Sequence, residues 1–244
     1  MDTFGYQDFI NHFETLGIEN GMHVVCHSSL FSFGRCSAKD ALDALLSVIG
    51  DAGTIVAPAY HFDIATQFEA KSPISKRVGA FSSYLYNLEG STRSLCPVHS
   101  HVATGSKATG LLTNNPNISF GKGSDFDWLS REGFELILLG CSFRHGATFL
   151  HHVEALCDVP YRKWVSSPKS IVRNGESETM DFKYFARSSD KFSENFDIVI
   201  PEVQKDPQIV QAPYGKSYRI ALQKLQTRVT QILADNPYFL VQEE

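Results

Sequence analysis

The pattern of apolar and polar positions predicts alternating strands and helices over the first two thirds of the chain. Apolar residues at helical spacing predict helices over 6–16, 37–49, 79–88, 108–112, 125–129 and 148–156. Short apolar runs bounded by glycine, serine or proline predict strands over 22–27, 54–58 and 134–139. A strand, a helix and a strand in succession are typical of parallel neighbours. We therefore expect an α/β fold with a central mixed, largely parallel sheet flanked by helices.

The final third of the chain has a different pattern. Alternating residues around Asn174-Gly175 predict a β-hairpin, because this dipeptide favours two-residue hairpin turns. Another short strand region is expected within 209–220, and apolar spacing predicts a last helix over 222–234. These patterns indicate one domain of residues 1–244. It would contain an α/β core over 1–165, a small β-rich C-terminal lobe over 166–220 and a closing helical region over 221–244.

Composition and charge narrow the class of protein. The 244 residues carry a formal net charge of -5, which argues against general nucleic-acid binding and is compatible with an amine-bearing substrate. Five cysteines without a CxxC pair predict free thiols in a reducing cytoplasm. We find neither a signal-peptide pattern nor an apolar run near the ~18 residues that span a membrane. We expect a cytoplasmic enzyme or binding protein.

Residues 134–162 carry the strongest candidate chemistry. A buried strand closed by Gly140 leads into a helix for which Thr148 is a suitable N-cap. Helical spacing places His151 and Glu154 on one face and directs His152 elsewhere. A histidine beside a carboxylate, near the end of a buried strand, suits a general base. A purely structural His–Glu pair is the alternative at this point.

Two turns follow strands and present small or aromatic residues. His27-Ser28-Ser29-Leu30 offers hydroxyl and backbone N–H groups to a phosphate or a carbonyl oxygen, although Ser-Ser is also ordinary turn chemistry. The string from Tyr60 to Asp63 is expected either to form a pocket wall or simply to pack its aromatic rings. Both turns lie where an α/β sheet binds ligands.

Two further stretches carry weaker signals. Phe120-Gly121-Lys122-Gly123-Ser124 permits close approach of a phosphate, but it is neither a Walker motif nor GxGxxG. His99 and His101 lie two residues apart before a predicted strand, so in an extended chain they face opposite sides. We expect His99 to face the site, which makes joint metal binding by the pair less favourable.

Taken in order, these motifs make the chain resemble the aminoglycoside 3-N-acetyltransferase family over about residues 5–165, with a looser match to the end. The motifs are Val25-Cys-His-Ser-Ser-Leu30, Gly53-Thr-Ile-Val-Ala-Pro58, Arg77-Val-Gly-Ala80, Arg93-Ser-Leu-Cys-Pro-Val-His-Ser100, Phe120-Gly-Lys-Gly-Ser124, Leu138-Leu-Gly140 with Thr148-Phe-Leu-His-His-Val-Glu154, and Val159-Pro-Tyr161. Each motif is short, but the ordered set is specific.

The resemblance implies direct acyl transfer from acetyl-CoA, or another acyl-CoA, to an amine, without an acyl-enzyme. It implies that His151 is the catalytic base and Glu154 its acidic partner. Residues expected to bind the cofactor are His27, Ser28, Ser29, Leu30, Ser100, Phe120, Gly121 and Ser124, and those expected to bind the amine are Tyr60, Asp63 and His99. The chemistry is coherent, because an ammonium must lose a proton before it attacks a thioester. Backbone N–H groups of the 28–30 turn would stabilise the oxyanion.

Departures from the family pattern leave the acceptor open. Cys96 replaces the first histidine of the family's His-Pro-x-His-Ser motif, and Phe68-Glu-Ala-Lys-Ser-Pro73 replaces Phe-Asp-Pro-x-x-Ser-Pro. That loop faces the acceptor amine in the family. The acceptor is therefore an aminoglycoside or another amino sugar, such as a nucleotide-linked sugar for a surface polysaccharide, with no role in antibiotic resistance in the latter case.

Two other classes of function are weighed against acyl transfer. A metal-dependent hydrolase would use the histidines at 99, 101, 151 and 152 with Glu154, but the HExxH spacing is missing and we expect no metal. A non-catalytic binding protein would have no need for an intact His151–Glu154 pair. Cys141 is expected to be a structural or pocket-lining thiol, not a nucleophile. We expect no nucleic-acid or membrane partner, and a homodimer is compatible with the sequence.

Overall fold

A computed structural model of the chain describes residues 3–62, 67–173, 175–203 and 208–244. The strands in these ranges are β1 (His23–Ser28), β2 (Thr54–Pro58), β3 (Thr92–Arg93), β4 (His101–Gly105), β5 (Glu135–Leu139), β6 (Arg162–Arg173), β7 (Glu176–Arg187), β8 (Phe192–Glu194), β9 (Gln208–Ala212), β10 (Gly215–Ala221) and β11 (Val241–Glu243). The three predicted strands of the core correspond to β1, β2 and β5.

The helices agree closely with the periodicity of the sequence. They are α1 (Tyr6–Thr15), α2 (Ala38–Ile49), α3 (Gly79–Tyr86), α4 (Asp125–Arg131), α5 (Phe143–Gly146), α6 (Phe149–Cys157), α7 (Val199–Val203) and α8 (Leu222–Asp235). Short 3-10 helices cover Leu30–Phe33, Lys76–Val78, Ala108–Thr113 and Phe196–Ile198. Ser37 caps α2 by accepting the N–H of Asp40. None of the helices in the described ranges has both the length and the apolar character needed to cross a membrane.

The central sheet has seven strands in the order β3-β4-β2-β1-β5-β10-β9. β1 pairs in parallel with both β2 and β5, and the remaining pairs are antiparallel. The expected α/β class with a mixed, helix-flanked sheet is confirmed, but parallel pairing is confined to the centre. β4 runs antiparallel beside β2, so that His101 at the start of β4 pairs with Pro58 at the end of β2. The chain thus returns to the sheet at the edge where β2 ends.

Both faces of the central strands are apolar, and alternate residues serve opposite cores. In β1, Val25 joins one buried cluster with α4, α6 and α8, while Val24 and Cys26 join the other with α1, α2 and α3. In β5 the same alternation separates Leu138 from Ile137. Strands covered on both faces are therefore continuous apolar runs, which explains their sequence pattern.

The segment expected to form a separate β-rich lobe divides between two places. β6 and β7 form a 12-pair antiparallel hairpin outside the central sheet, whereas β9 and β10 add to the edge of that sheet. Isolated bridges join the hairpin to the core, from Ile171 to Phe68 and from Lys183 to Ile118. Asn174 of the predicted turn lies outside the described residues, and Gly175 has a φ of 83°.

Candidate active site

The carboxyl ends of the three parallel strands meet at one edge of the sheet, where a cavity of about 480 Å³ opens. Its walls come from the segments that follow β1, β2 and β5, the position where open α/β sheets bind ligands. The lining residues are His27, Ser28, Ser29, Pro58, Tyr60, Phe62, Arg77, Val78, Cys141, His145 and Thr148. Asp63, expected to face an acceptor here, lies outside the described residues.

The α6 helix presents the expected His–Glu pair. Nδ1 of His151 lies 2.6 Å from Oε2 of Glu154, three residues along the helix. Glu154 is completely buried, while the His151 side chain remains 21% exposed. Because an ionised carboxylate only accepts hydrogen bonds, this contact places the proton on Nδ1 and leaves Nε2 as the free acceptor. The geometry suits an imidazole that accepts a proton from a bound group.

Two residues after the helix hold the Glu154 carboxylate in place. The Tyr161 hydroxyl donates to Oε1 at 2.8 Å, and Nε of Arg162 lies 2.7 Å from Oε2. Arg162 also donates to Oε1 of Glu194 at 2.8 Å, so its charge is shared between two carboxylates. Burial, and then the charge of Glu154, raise the pKa of Tyr161 far above its usual value, so the phenol stays a donor.

These supporting residues were not assigned a role from the sequence. Tyr161 ends a motif used for the resemblance, and Arg162 follows it directly. They reach Glu154 because Asp158 adopts a left-handed conformation with a φ of 48° at the end of α6, which turns the chain back. Sequence spacing alone gives no signal for that contact.

Aromatic rings enclose the imidazole of His151 and connect it to His99. The His151 ring centroid lies 5.6 Å from that of Phe120 and 5.0 Å from that of Phe196. Phe120 in turn packs 4.7 Å from the ring of His99. The ring of His99 also lies 5.1 Å from that of Tyr60, so two of the three residues expected to bind the amine are neighbours.

His99 is a neutral side chain in this environment. Its Nδ1 is hydrogen-bonded to the Ser119 hydroxyl at 2.7 Å. Burial lowers its pKa to about 3, and the nearby charges of His151 and His101 act in the same direction. His99 therefore offers a polar but uncharged surface beside His151.

The other two histidines of the candidate set lie in the core. His101 is fully buried, and its Nδ1 lies 3.0 Å from Oδ2 of Asp125. His152 accepts the backbone N–H of Gly121 through Nδ1 at 3.1 Å, and burial lowers its pKa to about 4. Within the described ranges, no three His, Cys, Asp or Glu side chains are grouped to hold a metal.

The serine turn offers a hydroxyl where a backbone donor was expected. The N–H of Ser29 is occupied, because it donates to the carbonyl of Leu139 at 2.9 Å. The Ser28 hydroxyl is buried and has no hydrogen-bond partner among the described residues. Ser28 and Ser29 line the cavity of about 480 Å³ and also a second one of about 420 Å³. The free donor at this junction is thus the side chain of Ser28.

The second cavity extends the first along the turn. Leu30 lines it together with the basic residues Lys76 and Arg77. Arg77 lines both cavities, as do Ser28 and Ser29, so the two adjoin each other at the serine turn and are together called the groove. Neither basic side chain forms an ion pair in the part of the chain that the structure describes, which leaves both charges available to an anion.

Two further residues expected to bind the cofactor, Ser100 and Ser124, are buried. Ser100 is buried, accepts from Nε of Arg93 at 3.1 Å and donates to the carbonyl of Ala59 at 2.7 Å. Ser124 is also buried, caps α4 and donates to the carbonyl of Gly121 at 2.7 Å. Both hydroxyls therefore already donate to backbone carbonyl groups.

A third cavity, of about 740 Å³, lies between α6 and the β6–β7 hairpin. Phe120 and Gly121 line it, together with Ala155 of α6 and Trp164 of the hairpin. On α6, Thr148 lines the first cavity and Ala155 the third, and helical spacing puts His151 between them on the same face. The residues on either side of His151 along this helix face thus line two different cavities.

Cys141 lines the first cavity but lacks the surroundings of a nucleophile. Its thiol lies 3.6 Å from the carbonyl of His27. Burial raises its pKa to about 12, which keeps the thiol protonated near neutral pH. The expectation of a pocket-lining thiol agrees with this position.

Comparison with known proteins adds independent information. The family model described as aminoglycoside 3-N-acetyltransferase matches residues 25–217. The aminoglycoside N(3)-acetyltransferase III of Acinetobacter baumannii is 28% identical over 185 residues, which cover 66% of this chain and 64% of that relative. The match thus spans just under two thirds of the relative's length.

Solved structures share the fold. The crystal structure of YokD from Bacillus subtilis matches with a TM-score of 0.84 and 19% identity, covering 97% of this chain and 95% of YokD. A structure described as AAC-IIIb binary with CoASH matches with a TM-score of 0.84 and 18% identity, covering 96% of this chain and 97% of AAC-IIIb. At these identities the likeness concerns the arrangement of the elements described above.

Proposed function

Because the chain belongs to the aminoglycoside 3-N-acetyltransferase family, we propose that it transfers an acyl group from acyl-CoA to an amine of an aminoglycoside or related amino sugar. Acetyl-CoA is the natural donor to test first, since relatives are named acetyltransferases and one similar structure is described with CoASH. The observation that carries the proposal is the 2.6 Å contact of His151 with the buried Glu154, on a helix whose Thr148 and Ala155 line two different cavities. The proposed site of action is the cytoplasm, where free thiols such as those of this chain persist.

The donor side of the reaction is assigned to the groove of the first two cavities. This proposal departs from what the resemblance implied for three residues, because Tyr60, expected to bind the amine, lines the first cavity, and Phe120 and Gly121, expected to bind the cofactor, line the third. The groove is lined by hydroxyls at Ser28 and Ser29 and by positive charge at Lys76 and Arg77. Coenzyme A combines a neutral pantetheine chain with phosphates, so such a groove matches its chemistry. His27 and Leu30 complete the walls near the turn.

The chemical step follows from the free nitrogen of the imidazole. The acceptor amine attacks the thioester carbonyl carbon, and its proton passes to Nε2 of His151 as the N–C bond forms. The charged imidazolium is stabilised by Glu154 through the 2.6 Å contact. We assign to the Ser28 hydroxyl, which has no hydrogen-bond partner among the described residues, the donation of a hydrogen bond to the developing oxyanion. The C–S bond then breaks, and the imidazolium of His151 returns its proton to the departing CoA thiolate, which restores the neutral base.

Replacing His151 by alanine tests this role directly. Removal of a general base should lower kcat by about 10²–10⁴-fold while binding of CoA is retained. Release of free CoA with an amine panel measures the first quantity, and a CoA-dependent thermal shift measures the second. Retained turnover in the His151→Ala variant would remove His151 from the mechanism.

A further inference from the structure

The third cavity, between α6 and the β6–β7 hairpin, points to a negatively charged acceptor. We infer that this cavity binds the phosphate-bearing part of a nucleotide-linked amino sugar, with the sugar amine directed toward His151. The inference rests on the proposed acyl transfer and specifies its acceptor. Four of the residues that line the cavity support it, namely Lys122, Lys183, Trp164 and Ala155.

The cavity is close enough to the base for one acceptor to reach both. Ala155 lies four residues after His151, which corresponds to a rise of about 6 Å along the helix. Phe120 lines the cavity and also packs against the His151 ring at 5.6 Å. A volume of about 740 Å³ is within the range of small-molecule sites and accommodates a nucleotide.

The charge of the lining favours an anion over a polycation. Lys122 and Lys183 are its only charged members, and no carboxylate is among the described lining residues. Neither lysine forms an ion pair in the described ranges, so neither charge is already neutralised. The chain as a whole has a net charge of -5, so this positive lining is a local feature. An acceptor with several ammonium groups would be repelled here, whereas a diphosphate would be attracted.

Trp164 adds a flat surface beside the lysines. Its ring packs 5.0 Å from that of Phe185 and still leaves the side chain 43% exposed. Gly121 lies against the same ring, since a Cβ at that position would be 3.5 Å from it. An exposed indole that is held in place and flanked by cations is suited to stacking on a nucleobase.

The hairpin register puts these groups on one side. Ser166 pairs with Lys183 and Trp164 pairs with Phe185, and alternate residues of a strand share a face. Lys163, adjacent to Trp164, belongs to the opposite face; Val165 of that face contributes to the lining, but Lys163 does not. This exposed lysine provides a matched control of equal charge on the same strand.

The test compares acceptors and variants of the full chain. Wild type should acylate uridine diphosphate glucosamine with a higher kcat/KM than glucosamine or tobramycin. Replacing Lys122 and Lys183 together by glutamine should raise the KM for that nucleotide sugar about 10-fold, as expected for two partly exposed ion pairs, and leave the KM for acetyl-CoA unchanged. Trp164→Leu should act in the same direction, and Lys163→Gln should behave as wild type.

Direct binding separates this inference from the acyl transfer itself. Calorimetric binding of uridine diphosphate, with CoA at saturation, should be detected in wild type and lost in the double lysine variant. An unchanged KM for uridine diphosphate glucosamine in that variant would overturn the inference and leave acyl transfer intact. A rise in the KM for acetyl-CoA, or displacement of uridine diphosphate by CoA, would assign the cavity to the donor and overturn it too. Binding of uridine diphosphate without turnover of any amine would contradict only the proposed transfer.

Discussion

Replacing Glu154 by glutamine should remove the negative charge beside His151 and keep the orientation of the imidazole. The variant should therefore show how much of the rate depends on that charge. The carboxylate accepts hydrogen bonds from His151 and Tyr161 and forms an ion pair with Arg162. A glutamine amide has the same shape but a single acceptor oxygen. We expect that oxygen to face Arg162, which can only donate, and the NH₂ group to face Tyr161, whose hydroxyl can rotate to accept. His151 then keeps its bonded nitrogen and its orientation.

The expected loss follows from the removed charge. A hydrogen bond to a charged group contributes about 1.5–3 kcal/mol, against about 0.5–1.5 kcal/mol for a neutral one. The imidazolium formed during transfer would thus lose about 1–1.5 kcal/mol of stabilisation, which lowers kcat about 10-fold. The His151→Ala variant, which lacks the base, should lose about 10²–10⁴-fold. Arg162 still has Glu194 as a partner at 2.8 Å, so we expect the glutamine variant to fold.

Initial rates of CoA release at saturating substrates provide the assay, with urea unfolding to verify that the variant is folded. Glu194→Gln is the matched control, because it removes a carboxylate from the same arginine one contact further from His151. Its kcat should change less than that of Glu154→Gln. A Glu154→Gln rate equal to wild type would refute the charge argument. A rate as low as that of His151→Ala would show that the carboxylate does more than support the imidazolium.

Three further predictions concern stability and reactivity. Burial lowers the pKa of His12 to about 4 from 6.5, so its contribution to stability is complete above pH 6.5 and is lost as the pH falls toward 4. Between pH 7.5 and 5 this amounts to about 2 kcal/mol, and urea titrations of His12→Gln should show a pH dependence shallower by that amount. Gly140→Ala should lower Tm more than Gly175→Ala. Both glycines have a positive φ, but a Cβ at Gly140 would lie 2.8 Å from the Ser29 carbonyl oxygen, whereas the space at Gly175 is open. Cys141 should react slowly with iodoacetamide at pH 7.5, as mass spectrometry would show, because burial raises its pKa to about 12.

Local periodicity was sufficient to predict the elements that carry the candidate base. The apolar run before Gly140 became β5, and the spacing that puts His151 and Glu154 on one face became a 2.6 Å contact in α6. Both are short-range features, because the residues concerned are at most four apart along one helix or belong to one strand. The same holds for the cap of α2 by Ser37.

Features that depend on contacts between residues far apart in the sequence could not be predicted from local periodicity. The antiparallel return of β4 beside β2 is set by contacts about 45 residues apart, such as Pro58 with His101, which periodicity does not encode. Backbone N–H groups of the 28–30 turn were expected to serve as donors, yet that of Ser29 donates to the carbonyl of Leu139 in β5. Arg162 reaches Glu154 only after the left-handed turn at Asp158.

The helix that carries His151 borders two cavities, which bears on how the proposed transfer would proceed. Thr148 and Ala155 line different cavities from the same helix face, so the proposed donor and acceptor would occupy separate spaces beside that helix. A covalent carrier would need an activated nucleophile in the first cavity, where burial keeps the thiol of Cys141 protonated. The Ser28 hydroxyl has no hydrogen-bond partner, and hence no base, among the described residues. Direct attack of the amine on the thioester, with both substrates bound, needs no activated nucleophile on the protein, whereas an acyl-enzyme would need one.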